Sequence, residues 1–149
     1  MASQPDFVLY DRDGRKVAVV ETKNKRGTTR EWAAELRRNI AGHRQLGSAE
    51  FFLLVTPDHL YLWKGEGDDP RLISPDYEAD GRTALEPYVR RAGLDPGQFS
   101  SNAFELIVSA WLSELILQWD PASADHAWLR ESGFLDSIKS GRIDYQLAA

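Results

Sequence analysis

The chain opens with two short apolar runs, Phe7-Val8-Leu9-Tyr10 and Val17-Ala18-Val19-Val20, separated by Asp11-Arg12-Asp13-Gly14-Arg15-Lys16. An Asp-Gly pair between two β-prone runs is a strong hairpin signal. Both runs are apolar at successive positions, not alternate ones, which predicts strands covered on both faces, as in a layered α/β domain. Thr28 and Glu31 then have capping-box spacing, and Trp32, Leu36, Ile40 and His43 recur at steps of four or three. This predicts a helix with an apolar stripe against a sheet, stopping near Gly47. Arg30, Arg37 and Arg44 recur every seven residues along its edge.

Residues 51–55 and 60–63 predict a second strand pair around Pro57-Asp58, and residues 65–81, rich in Gly, Pro and Asp, an exposed acidic loop. A short helix is expected over 83–92, a turn at Asp95-Pro96-Gly97, and a helix over 104–119. The last is apolar around most of its circumference, hence deeply buried or part of a subunit interface. A final helix is expected over 125–139, with Gly141 near its end. The fold class is α/β, a mixed central sheet with helices on both sides and a helical C-terminal half. The chain is expected to be one domain over 1–149. Residues 1–64 would form the strand and helix core, 65–99 the acidic loop and short helix, and 100–149 the C-terminal helices.

Composition narrows the function. At 149 residues, 42% apolar and 28% charged, the chain is a single globular domain, and disorder throughout is excluded. The absence of cysteine excludes disulfides, cysteine-ligated zinc, iron–sulfur clusters and thiol nucleophiles. The 104–119 run is broken by Glu105, Ser109, Ser113, Glu114 and Gln118, so no membrane span is expected. No basic stretch leads into an apolar run at the start, so no secretory signal is expected and the location is read as cytoplasmic. His43, His59 and His126 lack ligand spacing, and no phosphate-binding glycine loop or nucleophile elbow occurs. The net charge of −5 is unevenly spread: residues 1–50 carry ten Lys/Arg against seven Asp/Glu, and residues 51–149 eight against sixteen. A local field matters more than a global balance, so the first third is where a polyanion would dock.

The chemistry concentrates between Pro5 and Lys23. A two-residue turn at Asp13-Gly14 puts Arg12 opposite Arg15 and, counting back, Asp6 opposite Glu21. Side chains alternate along strands, so Asp6, Glu21 and Lys23 then share one face at the end away from the turn. A three-residue turn with a bulge at Gly14 fits equally well; it pairs Asp6 with Val20, on the other face, unless a second irregularity restores the register. Opposed carboxylates are destabilising without a cation, and Mg²⁺ is commonly held by one or two carboxylates together with water and phosphate. The plain alternative is a solvated strand end in which Glu21 pairs with Lys23 or Lys25.

Pro5-Asp6, a hairpin, Glu21-Thr22-Lys23 closing an apolar strand, and a following helix together resemble the PD-(D/E)xK nuclease superfamily, with its restriction-endonuclease-like fold. The resemblance covers roughly residues 5–64. Thr56-Pro57-Asp58-His59-Leu60-Tyr61-Leu62-Trp63 is similar to a strand pair in N-terminal nuclease domains of type I restriction subunits. It implies that Asp6 and Glu21 ligate Mg²⁺ (or Mn²⁺) with the Thr22 carbonyl, and that Lys23 positions or activates the attacking water. The implied reaction is phosphodiester hydrolysis of nucleic acid, DNA ahead of RNA. Lys25, Arg26, Arg30, Arg37 and Arg44 are then the candidate phosphate contacts.

Superfamily members usually carry a helix, often with a Glu, and a strand ahead of the Pro-Asp position. Here they are expected from later in the chain, with Glu105 or Glu114 as the replacement acid, or from a partner. The outer edge of the 7–10 strand needs a cover: the chain's own later helices, a second copy in a homodimer, or another protein. The rival reading is a catalytically inactive, nuclease-like interaction or nucleic-acid-binding subunit of a larger defence or DNA-processing assembly.

Overall fold

A computed structural model of the protein describes residues 5–43, 46–117 and 127–145. Among them lie six strands and five helices in the order β1 (Phe7–Tyr10), β2 (Lys16–Thr22), α1 (Arg30–Gly42), β3 (Phe51–Val55), β4 (His59–Lys64), β5 (Tyr77–Asp80), α2 (Gly81–Arg91), α3 (Ser101–Ile116), α4 (Ala127–Glu131), α5 (Phe134–Ile138) and β6 (Arg142–Tyr145). The strands form one mixed sheet, ordered β5-β4-β3-β2-β1-β6. Only β2 and β3 run parallel, joined through α1; the other neighbours are antiparallel.

The central strands are apolar at successive positions because each face carries its own core. On one face, Val19, Phe52, Leu54, Tyr61 and Trp63 pack against Ala33, Ile40 and Ala41 of α1. On the other, Phe7, Leu9, Val20, Leu53 and Leu62 meet the helices α2 to α5. The expected α/β layering with helices on both sides is therefore present.

The hairpin joins the two expected registers. Asp11 and Arg15 bracket a three-residue turn, with the Asp11 N–H donating to the Arg15 carbonyl at 2.8 Å and Gly14 at φ +83°. Tyr10 pairs with Lys16, but Leu9 pairs with Ala18 and Phe7 with Val20, so Val17 is left over as a bulge. This second irregularity cancels the first. Continued one residue further, the register sets Asp6 opposite Glu21.

The C-terminal half is not wholly helical. The expected 125–139 helix is broken after Glu131, where Gly133 takes a left-handed φ of +84°, and its first residues lie outside those described. The chain then returns as β6, which pairs antiparallel along β1 from Phe7↔Tyr145 to Tyr10↔Arg142. The outer edge of β1 is thus covered by a strand, not by the 104–119 helix. Phe7 and Tyr145 meet edge to face, centroids 5.4 Å apart, and the Tyr145 and Ser109 hydroxyls hydrogen-bond. The reason given above for a second copy is met within the chain. Helix α3 is buried as expected, with Ile107, Val108, Trp111, Leu112, Leu115 and Ile116 all inside, but beneath the sheet; residues 118–119 lie outside those described.

Four further expectations are corrected. Thr29, not Thr28, caps α1, its hydroxyl accepting from the Trp32 N–H at 3.1 Å; the Thr28 hydroxyl is instead buried against the Tyr61 hydroxyl at 2.9 Å. The inner stripe of α1 is Ala33, Arg37, Ile40 and Ala41, with Trp32 and Leu36 at its margin and His43 exposed, and the helix ends at Gly42 rather than near Gly47. Residues 65–76 form the expected loop, but 77–80 are strand β5 and Gly81 opens α2, and the loop is pinned because the fully buried Arg37 donates to the carbonyls of Gly67, Asp69 and Arg71. A buried guanidinium with several carbonyl acceptors replaces the apolar neighbour that the helix periodicity suggested.

Gly141 sits where β6 turns in against β1, and a Cβ there would collide with the Tyr10 carbonyl oxygen. Gly141→Ala should therefore destabilise the fold by roughly 1–3 kcal/mol. Gly42→Ala, in the last turn of α1 with open space around it, should stabilise it by about 0.5–1 kcal/mol. Urea midpoints of the two variants check this; equal midpoints would show that β6 does not need the close approach.

Candidate active site

The two strand ends of the hairpin bring the acidic pair together. Asp6 precedes β1 and Glu21 lies one residue before the end of β2, where both are held by backbone contacts. The Asp6 Oδ2 accepts from the Thr22 N–H at 2.8 Å and from the Thr22 hydroxyl at 2.9 Å. The Lys23 N–H donates to the Val55 carbonyl at 3.0 Å, so the backbone stays tied to β3 beyond the last residue of the strand. Thr22 therefore fixes one Asp6 oxygen, a role the sequence did not suggest for its amide and hydroxyl.

Glu21 is buried, its side chain 11% exposed, and Lys23 Nζ stands 3.9 Å from its Oε1. Burial pushes the Glu21 carboxyl up to about 8, helped by the Asp6 charge and a hydrogen bond between the two side chains; Lys23 opposes the shift and Glu105 adds to it. Glu105 is itself pushed up, by burial and then by Asp6. A carboxyl buried beside another acid ionises at a cost, so Glu21 holds its proton. Asp6, Glu21, Thr22, Lys23 and Glu105 thus form one cluster.

The other expected residues divide. Glu114 lies apart from the cluster, accepting from the Tyr88 hydroxyl and from Arg91; of the two candidates, Glu105 is the one that feels Asp6. Arg37 is withdrawn from the phosphate contacts, because its guanidinium is buried against carbonyls. Arg30 is half exposed and pairs with Glu78 at 3.5 Å. Lys25 lies over the Trp32 ring at 5.2 Å, and Arg26 stands 4.0 Å from Asp58. Arg44 lies outside the described residues.

Asp58 and Asn24 were not singled out in the sequence. Asp58 accepts from the Gly27 N–H at 2.9 Å and from Arg82 at 3.3 Å, tying the segment after Lys23 to the β3–β4 turn. Asn24 donates to the Phe99 carbonyl at 2.8 Å. The Pro57-Asp58 pair marked a turn, but nothing in the sequence said which distant amide it would hold.

Asp6 and Glu21 offer oxygen donors of the kind that Mg²⁺ takes, one or two carboxylates with the rest from water or phosphate. Among the described residues no three Asp, Glu or His side chains gather closely enough to cage an ion alone. Comparison of the chain with protein-family models, with curated proteins and with solved structures finds no match. No helix among the described residues is long and apolar enough to cross a membrane.

The raised Glu21 value sets a sign for the pH dependence. An acid whose folded value, about 8, exceeds its ordinary 4.5 binds a proton more tightly when folded. Its contribution is full below pH 4.5 and is lost as the pH rises through 8. Glu66, pushed up to about 7 by burial and then by Asp76, adds a slope of the same sign, so the variant difference isolates Glu21. Without divalent ions, Glu21→Gln should gain stability over wild type on the order of a few kcal/mol at high pH and little in acid. Parallel stability–pH curves for the two proteins would mean that Glu21 titrates normally.

Proposed function

We propose that the protein is a Mg²⁺-dependent nuclease that hydrolyses phosphodiester bonds of nucleic acid, DNA ahead of RNA, at the Asp6–Glu21–Lys23 cluster, in the manner of the PD-(D/E)xK superfamily that the sequence resembles. The observation that supports it is the carboxyl pair: Glu21 is buried against Asp6 at the end of an apolar hairpin, with the Lys23 ammonium beside it. Such a pair is unfavourable alone and favourable around a divalent cation. A bound Mg²⁺ supplies charge stabilisation on the phosphoryl oxygens and a water of lowered pKa.

The chain's own residues do the rest. Asp6, oriented by Thr22, and Glu21 hold the ion, with the Thr22 carbonyl as a further donor. Glu105, on the first turns of α3, extends the acidic wall. Lys23 orients the attacking water and meets the negative charge that develops on the phosphoryl group. Lys25 and Arg26, which follow closely on Lys23, hold neighbouring phosphates, and Arg30, paired with Glu78 of β5, meets the strand further out, each exchanging its present partner for it.

A module that binds nucleic acid without cutting it is the second reading. It is favoured by the partners the acids already have, Lys23 beside Glu21 and Thr22 on Asp6, which meet them without a cation.

Mg²⁺ or Mn²⁺ should raise the Tm of the wild type by mass action, about 2.7 kcal/mol at a hundred times the Kd, and Asp6→Asn should abolish the rise. Lys23→Ala should keep the rise but lose on the order of 10²–10³ in cleavage rate on plasmid or oligonucleotide substrates. Equal metal stabilisation of wild type and Asp6→Asn removes the site. A metal-dependent rise with binding but no cleavage transfers the protein to the second reading.

A further inference from the structure

Beside the acidic cluster lies a cavity of about 650 Å³, within the range of small-molecule pockets. Its walls are mainly apolar, from Leu85 and Val89 of α2, Leu94, Phe99 and Phe104, and three arginines, Arg26, Arg82 and Arg90, stand around it against the single carboxylate of Glu86. Arg26 and Arg82 rest on Asp58, and Arg90 on Glu86, with Arg82 and Arg90 more than two thirds exposed. The Phe99 and Phe104 rings are stacked, 9° from parallel with centroids 5.7 Å apart, and the Arg26 guanidinium lies 4.9 Å from the Phe99 centroid.

Cavity and cluster are linked by neighbouring residues of the chain. Asn24, next to Lys23, pins the Phe99 carbonyl, and Arg26 follows two residues later. Phe104 lines the cavity, while its neighbour Glu105 feels Asp6. A chain carrying a phosphate to Asp6 and Glu21 would therefore bring its adjoining residue over a flat-walled apolar cavity rimmed with guanidiniums.

We infer that this cavity receives an unpaired nucleobase of the strand being cleaved: Arg26 gives up its place over Phe99 to the base and, with Arg82 and Arg90, holds the adjoining phosphates. The inference rests on the nuclease reading and deepens it: the substrate is single-stranded nucleic acid, or a duplex with an unstacked base, not a fully paired duplex. Apolar walls match the base and exposed arginines match the backbone, the combination that single-strand binders use.

The test uses the full chain in two arms. In methyl NMR, AMP should move the signals of Leu85, Val89 and Leu94, in wild type and in Asp6→Asn alike. In fluorescence anisotropy without metal, a labelled single-stranded oligonucleotide should bind about tenfold more weakly when its bases are replaced by abasic units. Phe99→Ala should lose a similar factor on the intact strand and nothing on the abasic one. Leu94→Trp, which fills the cavity from a half-buried position, should do the same and covers the case in which Phe99→Ala fails to fold. AMP shifts confined to other residues overturn the inference. So does an abasic strand bound as well as the intact one, even with AMP in the cavity, since that would make it a mononucleotide site. Metal-dependent cleavage that survives with no base dependence leaves the nuclease standing and removes the cavity. Base-dependent binding without cleavage does the reverse.

Discussion

The pairing of β1 with β2 has to accommodate a three-residue turn and still place Asp6 beside Glu21, and the bulge at Val17 reconciles the two. Without it, each side chain of β1 would sit on the opposite face relative to β2, because a one-residue slip inverts the alternation. Phe7 and Leu9 would then leave the core that they share with α3, and Asp6 would leave the site with them. Packing therefore fixes the register, and the register fixes the carboxyl pair. Thr22 completes the arrangement by holding Asp6 through both its amide and its hydroxyl.

The sheet's two outer strands explain how this hairpin becomes interior. β6 shields β1 on one side, and β3 lies beside β2 on the other. The strands left at the edges, β5 (Tyr-Glu-Ala-Asp) and β6 (Arg-Ile-Asp-Tyr), are four residues each and alternate charge with apolar side chains, which is how edges avoid pairing with other chains. Burial of the strand end is what pushes Glu21 up. A site of this kind depends on a sheet that extends past it on both sides.

How much of this was legible follows the range of the interactions. The hairpin, the β3–β4 pair, the short helix after β5 and the apolar α3 were all visible, because each is set by local period and turn residues. So was the sharing of one face by Glu21 and Lys23. What escaped was set at long range. Arg37 occupies a core position of α1 because carbonyls from residues 67–71 close over it, and helix periodicity alone places an arginine outside. β6 is only four residues long and lies more than 130 residues from its partner β1. Glu105 was legible as a candidate but not as a choice over Glu114, since the two stand at different points along α3 and only the packing of that helix decides which one faces Asp6.

The central proposal is that Glu21, buried beside Asp6, holds a proton that a divalent cation displaces. A ¹³C-carboxyl NMR titration of Glu21, with and without saturating Mg²⁺, tests it most directly. The account predicts a midpoint near 8 in the metal-free protein and a fall to the ordinary glutamate range, about 4.3, or below it with Mg²⁺. A midpoint already in the ordinary range without metal, or one near 8 that Mg²⁺ leaves in place, would contradict it.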